Sequence, residues 1–108
     1  MKKLFVIITL FSYLLGNGYS DGFKFYVKAK VQLRKGNNSE ANALFQQAKV
    51  NFEIAQKNHS SQAILKLAEM YCNGWGVEEN QVKAETLLTQ AKKFGLNNFT
   101  NKCLKNLK

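Results

Sequence analysis

The stretch AILKLAEMYCNGWGVEENQVKAETLLTQAKKFG, Ala63 to Gly95, constrains this chain more than any other. Ala63, Ile64, Leu67, Ala68 and Tyr71 recur at steps of one, three, one and three, which puts them on one side of an α-helix. Asn73-Gly74-Trp75-Gly76 ends that helix, because glycine takes a positive φ without a Cβ clash. Asn80 is placed to cap a second helix, whose inner face carries Ala84, Leu87, Leu88, Ala91 and Phe94. Gly95 is placed for a left-handed C-terminal cap.

The flanking segments read as further helices. Phe23 to Lys35 fits a helix with Val27, Val31 and Arg34 on one face, although Phe23, Phe25, Val27 and Ala29 also alternate as in a strand. Gly36-Asn37-Asn38 is a stop and turn. Ser39 is expected to cap a long helix, with Glu40 in its first turn and Ala41, Leu44, Phe45, Ala48, Phe52 and Ala55 along its stripe. Asn58-His59-Ser60 breaks it, and Ser60 or Ser61 caps the next helix. Asn97 or Asn98 is expected to start a final helix with Phe99, Cys103, Leu104 and Leu107 on one side and lysines and Asn101 on the other. One apolar and one polar face is what an open helical array needs at its end.

The N-terminus has a different character. Met1-Lys2-Lys3 is followed by the apolar run Leu4 to Leu15, too short for an ordinary spanning helix of about 20 residues but suited to the core of a secretory signal. Gly18 and Ser20 supply small residues at the two positions that a signal peptidase reads, so cleavage is expected after Ser20. The alternatives are a buried N-terminal helix or an uncleaved anchor. Residues 1–20 are thus expected to be a signal peptide and 21–108 one domain, exported to a bacterial periplasm or beyond, with no stable membrane span left. Cleavage removes two lysines and no acid from the net charge of +9, leaving +7 over 88 residues. A domain of that size buries only about 60–65% of its unfolded surface and benefits from a covalent staple. The lysines are scattered rather than tracked, which favours a solvated surface and does not point to nucleic acid.

An offset of 36 residues overlays Ala48 on Ala84, Phe52 on Leu88 and Ala55 on Ala91, and then Ala63 on Phe99, Leu67 on Cys103 and Tyr71 on Leu107. Ala63, Leu67-Ala68, Tyr71, Gly74-x-Gly76-Val77, Asn80, Lys83-Ala84, Ala91 and Gly95 together resemble a Sel-one-like repeat, a relative of the tetratricopeptide repeat. The chain departs from that pattern at Ala68, usually Gly, and at Asn80, usually Asp. The resemblance implies an all-α, short right-handed α/α solenoid of antiparallel helix pairs: about two repeats, the best over 60–95, with a capping helix over 97–108. It also implies a concave face that binds a protein or peptide, and it assigns the paired glycines to loop geometry.

Few residues invite chemistry. Cys72 and Cys103 are the only cysteines. In an oxidising compartment they are either a bridge, whose closed loop of about 31 residues would be worth roughly 3–4 kcal/mol, or two buried thiols. Cysteine-rich relatives link the end of one repeat to the start of the next, a spacing this pair does not match. Trp75 reads either as an exposed partner anchor or as packing on a neighbouring loop. Glu78-Glu79 suits a helix N-terminus. His59 aligns with Gly95 and reads as a turn residue. Asp21 is the sole aspartate and abuts the expected cleavage point, so no Ser-His-Asp set is available. Two distant cysteines and one histidine lack metal-ligand spacing, and no cofactor fingerprint is present. The expected function is an exported interaction module binding a protein or peptide, without catalysis of its own. The alternatives are a weak cell-wall or β-lactam-directed hydrolase, by analogy with cysteine-rich relatives, and a basic binder of anionic polymers.

Overall fold

The computed structural model describes residues 18–107, and these form an all-helical domain. The helices are α1 (Tyr19–Arg34), α2 (Asn38–Lys57), α3 (Ser61–Asn73), α4 (Gln81–Lys93) and a single turn, α5 (Lys102–Lys105). Residues 1–17, which carry most of the expected export signal, lie outside the described residues.

The core is built on α3, which packs against α1, α2, α4 and α5. Its composition explains this. Ala63, Ile64, Leu65, Leu67, Ala68, Glu69, Met70 and Cys72 are all buried. Apart from one polar line, Gln62, Lys66, Glu69 and Asn73, its surface is apolar, and so wide an apolar face is stable only when most of it is enclosed. The one-sided stripe expected from sequence is therefore too narrow: Leu65, Met70 and Cys72 are buried off that stripe, while Tyr71 is only half-buried.

The other helices bury narrower stripes. Helix α2 buries Ala41, Phe45, Ala48, Phe52 and Ala55, and α4 buries Ala84, Leu87, Leu88 and Ala91. The alanines permit close helix approach, and burial of Phe45 and Phe52 contributes about 1.5–3 kcal/mol each. Helix α1 packs chiefly on α2, and α3 chiefly on α4.

Sequence expectation needs correction in three places. Helix α1 begins four residues earlier than Phe23 and buries Gly22, Tyr26 and Ala29, leaving Val27 and Arg34 exposed. The reason is steric: a Cβ on Gly22 would lie 2.7 Å from the Phe52 ring, so only glycine lets α1 approach α2 this closely. Helix α2 begins one residue before Ser39, with Asn37 at its N-cap. The final helix is one turn, capped by the Asn101 side chain, rather than a segment from Asn97 or Asn98. Residues 97–101 are not helical, so the overlay of Ala63 on Phe99 does not extend to a shared helix. Three asparagines in five residues offer the backbone side-chain partners that compete with helix.

Helix starts and stops follow local chemistry. The Ser60 hydroxyl accepts from the Ala63 N–H at 3.2 Å, and the Asn80 side-chain oxygen accepts from the Lys83 N–H at 2.9 Å. At the end of α2, the Asn58, His59 and Ser60 N–H groups donate to the carbonyls of Ala55, Gln56 and Ala55. Thirty-six residues on, at the end of α4, Phe94, Gly95 and Leu96 donate to Ala91, Lys92 and Ala91. His59, at φ 61, stands where Gly95 has φ 110. This is the left-handed helix stop, made once by glycine and once by histidine.

Candidate interaction surface

Between α1, the start of α2 and the loop after α3 lies a group of rings. Tyr26 sits edge-on to Phe45, Phe52 and Trp75, with centroids 5.8, 6.0 and 6.0 Å away. Trp75 lies parallel to Phe45 at 5.5 Å. These are the offset-stacked and edge-to-face arrangements that aromatic quadrupoles favour. Trp75 thus packs on α1 and α2, not on a neighbouring loop, and remains half-buried. Its loop is shaped by Gly74 at φ 71 and Gly76 at φ 73. A Cβ on Gly76 would collide with the Phe45 Cβ, so the loop can close onto α2 only with glycine there.

One buried acid organises the polar side of this group. Glu69 is 6% exposed; its Oε1 accepts from the Tyr26 hydroxyl at 3.0 Å and lies 3.3 Å from Lys66 Nζ. Burial pushes the Tyr26 phenol well above its ordinary range, and the Glu69 charge and hydrogen bond act in the same direction. The Tyr19 phenol is raised as well, by burial first and Glu69 second. Among the described residues, no buried side-chain nitrogen or oxygen is left without a partner.

Two lysines face the rings. Lys66 Nζ lies 5.1 Å from the Tyr26 centroid and 5.8 Å from that of Phe23. Lys30 Nζ lies 5.5 Å from Tyr26 and 5.3 Å from Trp75. Phe23 and Val27, on the same helix as Lys30, are exposed at 41% and 44%. Sequence reasoning singled out Trp75 but missed Tyr26, Lys30, Lys66 and Glu69. The one sequence feature that sets Glu69 apart is that it is the only acid in α3, and its buried partner Tyr26 lies 43 residues away.

The remaining candidates lie elsewhere. Cys72 and Cys103 are at disulfide-bonding distance, Cα atoms 6.0 Å apart, tying α3 to α5. The Gln81 amide donates to the Cys72 carbonyl at 3.1 Å. His59 stacks on Phe94 at 4.3 Å, so the two equivalent helix ends touch. Of the residues carrying the family resemblance, Ala63, Leu67, Ala68, Ala84 and Ala91 are buried, while Tyr71, Gly74, Gly76 and Val77 are half-buried. Lys83 and Gly95 are exposed; the Lys83 ammonium lies 4.5 Å from the Tyr71 ring centroid. Among the described residues, no helix is long and apolar enough to cross a membrane, and no cluster of three acidic, His or Cys side chains could hold a metal. Comparison with protein-family models, curated proteins and solved structures gives no match to this chain.

Proposed function

We propose that this chain is an exported helical-repeat module, a short right-handed α/α solenoid, that binds a protein or peptide partner through the surface shared by α1, α3 and the 74–76 loop. The observation that carries the reading is the ring group itself. Trp75 is held by Phe45 and Tyr26 yet stays half-buried, while exposed Phe23 lies 6.4 Å from the same Tyr26 ring and exposed Val27 follows Tyr26 on α1. Rigid, partly exposed aromatics are the residues on which binding energy concentrates. The repeat reading is supported by α2 and α4, which bury equivalent residues and end in the same hydrogen-bond pattern 36 residues apart. Export is supported by the cationic and apolar pattern of residues 1–15 and by the paired cysteines.

A photo-crosslinking side chain at Val27 tests this, with Val82 on α4, 75% exposed, as the control. Partner adducts are expected from position 27 and not from 82. Adducts from 82 alone would sink the assignment. A second reading, binding of anionic polymers, is favoured by Lys24, Lys28, Lys30 and Arg34 on α1 against Asp21 alone. It requires a steep loss of binding with salt. No observation favours the hydrolase alternative, because His59 is stacked on Phe94 and Cys72 is paired with Cys103.

A further inference from the structure

A cleft of about 300 Å³ opens between the end of α1, the start of α2 and the 74–76 loop. Half-buried Leu33 and Trp75 form the open part of its apolar wall, buried Ala41 and Phe45 stand behind them, and Asn38 and Asn42 make its exposed polar rim. Its volume is at the lower end of the range of about 300–1,000 Å³ typical of ligand sites, enough for one large side chain. The cleft is built by the same feature that forbids side chains in its wall: Gly74 and Gly76 both have positive φ, and Gly76 is pressed against Phe45.

The charge beside the cleft is unbalanced. Lys30 stands over Trp75, which lines the cleft, and among the described residues it has no acidic partner. Lys30 and Lys66 both lie within 5.5 Å of the Tyr26 ring centre, but the one carboxylate there, Glu69, is buried and already bonded to Tyr26 and Lys66. An ammonium held against rings and short of an acid is poised for a carboxylate from outside. The amides of Asn38 and Asn42 make no hydrogen bond among the described residues, so the rim has donors and acceptors for a peptide backbone.

We infer that this cleft is a side-chain pocket for an acidic peptide segment: a large apolar side chain enters beside Trp75 while a neighbouring carboxylate pairs with Lys30. The inference rests on the interaction-module reading and specifies its partner. Trp75 is the only tryptophan, so its fluorescence reports the site directly. The probes are acetylated, amidated hexapeptides Gly-Ser-Glu-X-Glu-Gly, with X as Leu, Ile or Phe, titrated into the full chain. At least one is expected to shift Trp75 emission saturably. Replacing X by Ala, or both Glu by Gln, is expected to weaken binding at least ten-fold. Lys30→Gln in the protein should weaken it similarly, and Asn42→Phe, an exposed change that fills the mouth, should abolish it. Lys83→Gln, away from the cleft, should leave it unchanged. Equal binding of the Ala and Gln peptides, or a Trp75 response to phosphatidylglycerol vesicles but to no peptide, overturns the inference. So does silence with every peptide; if position 27 still crosslinks a partner, the module reading survives that failure.

Discussion

The two sides of α3 are secured by different means. On the α1 side, a 16-residue helix meets α3 and its loop through edge-to-face rings, a buried glutamate and two lysines. On the α5 side, a four-residue turn contributes one buried leucine, Leu104, and the sulfur contact of Cys103 with Cys72. A single helical turn cannot bury enough apolar area to offset the entropy of ordering it, so a covalent link does what packing cannot. The long helix can afford a half-exposed tryptophan, and that is the side to which the proposed binding surface is assigned.

The largest expected effect probes the covalent side. Cys72→Ser with Cys103→Ser is predicted to lower unfolding free energy by about 3–4 kcal/mol, measured by urea denaturation with and without reductant. Amide exchange should rise first around residues 96–107 while α1 stays protected. Uniform loss across both sides would show that the two are not independent. On the ring side, Gly76→Ala is predicted to cost about 2–4 kcal/mol, because it joins a positive φ to a collision with Phe45. Gly36→Ala is the matched control. Its φ is 84, but nothing lies within 4 Å of the added Cβ, so about 1–2 kcal/mol is expected. Equal losses would mean that the loop is not pressed onto α2.

Tyr26→Phe is predicted to cost about 1–3 kcal/mol at neutral pH by leaving the buried Glu69 short of a donor. Its pH dependence has a fixed sign. The folded-state pKa lies above the ordinary value of 10.0, so the neutral phenol stabilises the fold below that pH. That contribution is lost as pH rises beyond it, and the Phe variant should lack this part of the alkaline decline in thermal melts. The smallest effect returns to the α5 side. Asn101 caps α5 at the Leu104 N–H and accepts from Asn73 at 3.3 Å, so Asn101→Ala should cost about 1 kcal/mol. In the disulfide-free variant the same change should melt α5 outright, seen as loss of amide protection there.

Much of this fold could be read along the chain. Caps at Ser60 and Asn80, the glycine stop at Gly74, the stripes of α2 and α4 and the left-handed stop at Gly95 are short-range features. Their physics involves residues within a turn or two, so sequence spacing suffices to determine them. The equivalence of His59 and Gly95 is likewise legible as an offset, and both take a positive φ within the same hydrogen-bond pattern. What depended on distant partners was not legible. Gly22 looks like a helix breaker until Phe52 stands against it, and Glu69 looks like an exposed acid until Tyr26 arrives from 43 residues away. Cys72 is one residue off the apparent stripe, yet it is buried with Leu65 and Met70, because α1, α2, α4 and α5 enclose α3 well beyond that stripe. Local hydrogen bonding and side-chain entropy determined where the helices begin and end. Close approach, ring packing and the pairing of a buried charge are properties of the assembled helices, and they made Trp75 part of a surface.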